Sequence, residues 1–196
     1  METGMAAQGG WSLTDHVNSS DTLNQITASK WKFVVLQEQS EIPAIDNSRS
    51  ASMYPAARTL VSQIKGTGAT PIFFVTWAHR EGLPDFGIQD FQTMQFQIDI
   101  GYMRIAQELS APLAPVGYAW LLAQGQNSKL DLWQSDGSHP TEQGTYLAAC
   151  VFYAVIFRQS PKGLTYQAGL TTETATFLQQ IAGTAVLDNP TQWNLH

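Results

Sequence analysis

Three short apolar runs, at residues 33–36, 71–76 and 111–116, punctuate the chain and are rich in branched and aromatic side chains. None alternates cleanly between apolar and polar positions, the pattern of parallel strands covered on both faces. Helical periodicity fills the gaps. Pro55 suits the first turn of a helix over 55–64, with Gly66 as its stop. Phe91, Met94, Ile98, Tyr102, Ile105 and Leu109 recur at helical spacing and predict a long amphipathic helix. Residues 145–157 are apolar nearly all round, which predicts a helix packed deep against the sheet, and a last helix is expected over 173–182. Alternating elements joined by short loops predict an α/β fold with a parallel sheet. Residues 82–89 make the longest irregular stretch, just past the strand end at Trp77-Ala78-His79-Arg80. Residues 187–196, with Pro190, read as a loose end. No repeat or composition break divides the chain, so one domain is expected over 1–196.

Composition narrows the partners. Apolar residues make up 43% of the 196, with six Trp and nine Phe, enough for a core and against disorder. A formal net charge of −6, with ten Lys and Arg in all, disfavours nucleic acid and anionic membranes. Cys150 is the single cysteine and lies in an apolar stretch, so no internal disulfide forms and a buried thiol is expected. No segment is long and apolar enough to span a bilayer. Residues 1–10 have neither the basic start nor the apolar core of a signal peptide, which leaves location open.

Candidate chemistry collects just after the strands. Gln37-Glu38-Gln39-Ser40 follows the first, Trp77, His79 and Arg80 follow the second, and Gly117-Tyr118-Ala119-Trp120 opens a helix after the third. Polar loops at the carboxyl ends of such strands converge on one edge, where open α/β sheets bind ligands. The turn Asp136-Gly137-Ser138-His139, followed by Pro140, adds an acid three residues before an imidazole. Asp can hold a His in one tautomer and stabilise its charged form, as a general base requires. The same turn also suits a simple helix cap. Gln37 and Gln39 are either a strand-end hydrogen-bond network or neutral donors for a developing oxyanion. His79 is either a second base or ligand or a surface-loop histidine. His16 and His196 show no partner pattern, and four scattered histidines supply no metal site.

Taken together, these segments resemble the SGNH (GDSL-like) hydrolases, nearest to a bacterial branch of SGNH-like domains. Asp136-Gly137-Ser138-His139-Pro140-Thr141 with Gly144-Thr145-Tyr146-Leu147-Ala148 is similar to the family's last block, where Asp and His complete a triad with serine. Val34-Val35-Leu36-Gln37-Glu38-Gln39-Ser40 resembles the block after the third strand, with Gln39 at the position of an oxyanion-binding Asn and Gln37 as the other candidate. Gly9-Gly10-Trp11-Ser12-Leu13 resembles the second block, whose glycine N–H, here that of Gly10, also serves the oxyanion. The resemblance implies a flavodoxin-like three-layer α/β/α fold and ester hydrolysis without cofactor or metal. It implies His139 as general base, Asp136 as its orienting acid, and a small-molecule or carbohydrate ester as substrate.

The family's first block, a strand ending in Gly-Asp-Ser or Gly-Asn-Ser, has no counterpart before Gly9. The expectation is an amino-terminally truncated SGNH-like domain whose first strand or strands, and nucleophile, are missing. Ser12 and Ser40 are the substitute nucleophiles within the chain, and Trp77 and His79 the candidate substrate contacts. The alternatives are an inactive fragment, or a glycan-binding module using Trp11, Trp77, Trp120 and Trp133.

Overall fold

The computed structural model describes residues 2–195. Helices α1 (Leu13–Val17) and α2 (Ser20–Thr27) precede strand β1 (Phe33–Leu36). A 3-10 turn, Ile42–Ala44, leads to the one-turn α3 (Asp46–Ser48), a π turn at Arg49–Met53 and helix α4 (Tyr54–Gly66). Then come β2 (Thr70–Phe74), α5 (Phe91–Leu109), the two-residue β3 (Leu113–Ala114), α6 (Val116–Gln126), α7 (Glu142–Phe157) and α8 (Thr172–Leu187). The three strands form one parallel sheet in the order β1-β2-β3, with Leu36 opposite Phe73 and Phe74 opposite Ala114.

Both faces of the sheet carry helices. Successive strand residues point to opposite sides, and β2 shows where each side leads. Phe73 meets Tyr102 of α5 edge-on at 6.1 Å, while Phe74 meets Phe152 of α7 at 5.0 Å. The fold is therefore three-layered α/β/α, as the unalternating strands predicted. Coverage runs out at β1. Val35 lies opposite Ile72, on the Phe74 side, yet is 43% exposed, whereas Ile72 is 1% exposed. Among the described residues β1 pairs on one edge only.

Local chemistry explains the helix ends. Asp90 caps α5 by accepting the Thr93 N–H at 2.7 Å, and Thr141 caps α7 by accepting that of Gly144. The expected stop at Gly66 is corrected: Gly66 is the last helical residue, and the left-handed residue that turns the chain is Gly68 (φ +85°). The third strand is shorter than its apolar run, because only Leu113 and Ala114 find partners on β2.

The expectation of a loose carboxyl end is also corrected. Trp193 and Leu195 are buried, the Trp193 indole donates to the Ala185 carbonyl at 2.8 Å, and Asn194 donates to the carbonyls of Ala106 and Ala111. One aromatic anchor outweighs the polar residues around it, since burying a Trp removes a large apolar area from water. His196 lies outside the described residues.

Behind the functional edge, Gln95 of α5 is fully buried, donates to the Thr76 carbonyl and Asp99, and accepts the Ala78 N–H at 2.8 Å. Gly117 packs onto this network so closely that a Cβ there would meet the Gln95 amide and the Thr76 carbonyl. Gly117→Ala is expected to destabilise the fold by about 1–3 kcal/mol, the usual effect of overpacking a filled site. Urea denaturation of the two proteins checks this, and an unchanged midpoint would show that the contact yields freely.

Candidate active site

The turn after α6 is held in place by the loop that follows β2. Arg80 donates its N–H to the Gly137 carbonyl at 2.8 Å, and the Trp77 indole donates to the Ser138 carbonyl at 2.8 Å. Gly137 takes φ +69°, a left-handed conformation that a side chain would strain. Within the turn, one oxygen of Asp136 accepts the N–H groups of Ser138 (2.9 Å) and His139 (3.0 Å). The other lies 2.6 Å from His139 Nδ1. Asp136 does not cap α7, because Thr141 does.

This arrangement has electrostatic consequences. The Ser138 N–H, followed by the His139 ring and the His139 N–H, holds the Asp136 carboxyl down to about 2. The carboxylate thus stays charged and accepts the Nδ1 proton, which leaves Nε2 as the free acceptor on a side chain that is 73% exposed. Because the folded pKa lies below the ordinary 3.8, Asp136 favours the folded turn above about pH 4, and this contribution disappears as pH falls through about 2. A carbon-detected NMR titration is expected to show the Asp136 midpoint near 2. A midpoint at the ordinary value would mean that the turn does not close in this way.

Below the turn lies a tryptophan floor. Trp77 stacks on Trp120 with centroids 4.6 Å apart and planes 7° apart, and Trp133 meets Trp120 edge-on at 4.9 Å. The Trp133 indole donates to the Ala78 carbonyl at 3.0 Å. Trp77, expected as a substrate contact, is half-buried and supports the turn from beneath. Trp120 and Trp133 are core residues, and Trp11 alone of the four tryptophans considered for glycan stacking is exposed.

The loop after β1 presents the other candidates. Gln39 Oε1 accepts the N–H groups of Glu41 (2.9 Å) and Ile42 (3.3 Å), which fixes the amide and leaves its NH2 without a partner among the described residues. Gln37 is exposed and makes no such bond. Gly10 lies in an exposed turn with φ +78°, closed by the Trp11 N–H on the Gln8 carbonyl. Ser12 caps α1, its hydroxyl donating to the Asp15 carboxylate at 2.7 Å and accepting the Asp15 N–H, so it is held by the helix cap rather than by a histidine. Ser40 Oγ lies 3.1 Å from Nε2 of His79, not of His139. His79 is half-buried rather than a free surface histidine, and burial lowers its pKa.

Glu38 was not singled out from the sequence. It is fully buried, and one of its oxygens accepts the N–H groups of Leu13 (3.0 Å) and Gln39 (2.8 Å). Strand parity is the signal that marks it, since Leu36 and Glu38 share the inward face. Cys150 is buried, and burial pushes its thiol up to about 11. Among the described residues no helix is long and apolar enough to cross a membrane, and no group of three or more His, Cys, Asp or Glu could hold a metal ion.

No protein-family model matches the sequence, and no curated protein matches it. Solved structures do. A DUF4886 family protein from Bacteroides uniformis ATCC 8492 superposes with a TM-score of 0.78 at 20% identity, over 92% of this chain and 81% of that one. A putative SGNH hydrolase from Slackia heliotrinireducens gives 0.65 at 28% identity, over 76% of this chain and 80% of that one. The scaffold is SGNH-like. The first likeness speaks for the fold alone, and the second supports a hydrolase-like scaffold.

Proposed function

We propose that this SGNH-like chain carries the acid–base machinery of a serine ester hydrolase acting on small or carbohydrate-linked acyl esters. The observation that carries the reading is the 2.6 Å contact between Asp136 and His139 Nδ1, with Nε2 free on an exposed ring. His139 takes the serine proton as the hydroxyl oxygen attacks the ester carbonyl, then returns it to the leaving alcohol. Water, deprotonated by the same ring, releases the acyl group. The Gly10 N–H and the Gln39 amide NH2 stabilise the tetrahedral oxyanion, with Gln37 as the other amide.

The serine comes from a strand added beside β1. The unpaired edge of β1 and the exposed Val35 on its α7-side face support this placement, because a further strand and its helix would cover both. The test is p-nitrophenyl acetate hydrolysis by an extended chain in which a strand ending in Gly-Asp-Ser or Gly-Asn-Ser, with its helix, is joined ahead of Met1. A burst is expected from the extended chain and none from residues 1–196. Equal turnover by the short chain would overturn the placement and point to Ser40 with His79.

A further inference from the structure

Glu38 is the least economical residue in the fold. It is fully buried, and among the described residues only one of its two carboxyl oxygens meets a donor, Oε2 having no partner. Burial pushes its carboxyl up to about 7. Such a group does little for stability, since an apolar side chain of similar volume is often as stable or more so. What it does hold together is specific. Oε1 joins the Leu13 N–H, the first amide of α1, to the Gln39 N–H in the loop just past the end of β1. Leu13 is three residues from Gly10, and Gln39 itself carries the partnerless amide. The Glu38 backbone is pinned in turn, its N–H donating at 3.0 Å to the hydroxyl of Tyr102, fully buried on α5.

We infer that Glu38 is a positioning residue that sets the Gly10 loop and the Gln39 loop in register, so that the two oxyanion donors face one point. The inference rests on the hydrolase reading for its catalytic consequence, though not for its geometry. An oxyanion hole works through donors fixed before the charge develops, and a misplacement of about 1 Å can lower rate about a hundredfold. Glu38 lies 25 positions along the chain from Leu13, and its carboxylate joins the two loops through a single atom.

Two substitutions test this. Glu38→Met keeps the volume and removes the acceptor, while Glu38→Gln keeps a carbonyl oxygen where Oε1 stands. In residues 1–196, Glu38→Met is expected to speed amide exchange at Leu13 and Gln39 by about tenfold or more, leaving α7 and α8 unchanged. Glu38→Gln is expected to retain the protection. In the extended, hydrolytic chain, Glu38→Met is expected to lower kcat by about 10- to 100-fold at unchanged KM, with Gln restoring most of it. Unchanged exchange at both amides, or equal loosening throughout the fold, would overturn the brace. So would full kcat in the Met variant. An extended parent without turnover would sink the hydrolase reading instead, and the exchange data would still decide the brace.

Discussion

Alanine at position 139 is expected to lower esterase turnover in the extended chain by roughly a thousandfold or more, with little change in KM. General base catalysis acts in the transition state, where the serine proton is in flight, so removing the ring leaves ground-state binding intact. Among the described residues no other imidazole is placed to substitute. His79 is engaged with Ser40, and His16 Nδ1 lies 2.9 Å from Thr22 Oγ1. The residual rate would reflect the oxyanion donors and binding alone. Circular dichroism should be unaltered, because the His139 side chain is 73% exposed. A variant with full turnover would remove His139 from the reaction.

The largest stability effect is expected at Trp120. This side chain is fully buried, stacked on Trp77 and capped edge-on by Trp133. Trp120→Ala is expected to cost about 3–5 kcal/mol, the lost transfer term plus the cavity left behind. For a chain of this size that shifts Tm by roughly 10 °C, readable by calorimetry. The effect should reach the active site, because Trp77 hydrogen-bonds the Ser138 carbonyl while leaning on Trp120. The Asp136 titration midpoint should therefore rise from about 2 toward its ordinary value in the variant. A loss under about 1 kcal/mol would mean that the tryptophans do not act as one packed unit.

The open face at β1 bears on both expectations. Val34 and Leu36 turn to the side that holds Phe73 and α5, and Leu36 is buried there. Val35 turns the other way and is 43% exposed. The apolar run at 33–36 looked like a strand covered on both faces, and its composition is consistent with that role. Its neighbour in this chain covers one edge, while the hydrophobic side chains suit two. The extended chain should accordingly be more resistant to denaturant as well as active.

Several functional features are legible in the sequence alone. The long amphipathic helix emerged from Phe91, Met94, Ile98, Tyr102, Ile105 and Leu109, and α5 buries those residues apart from the half-buried Leu109. The Asp136-x-x-His139 spacing was legible because both partners sit in one turn. Other readings needed revision. The stop expected at Gly66 falls at Gly68, where the chain takes a left-handed conformation. The tail seemed loose because Pro190 and its polar neighbours signal irregular chain, but Trp193 closes it onto α8. Glu38 went unremarked because an acid after an apolar strand usually reaches water.

By itself the sequence determined what is local: three parallel strands alternating with amphipathic helices, and a carboxylate within reach of an imidazole across one turn. Periodicity and short spacing suffice there, because the backbone geometry of a helix, strand or turn places residues a few positions apart without help. Only the tertiary structure decided the rest. Ser40 meets His79 across 39 residues, Glu38 meets Leu13 across 25, and Trp77 meets Ser138 across 61. Such contacts depend on how strands pair and helices close over them, which burial of the whole core selects and no local pattern encodes.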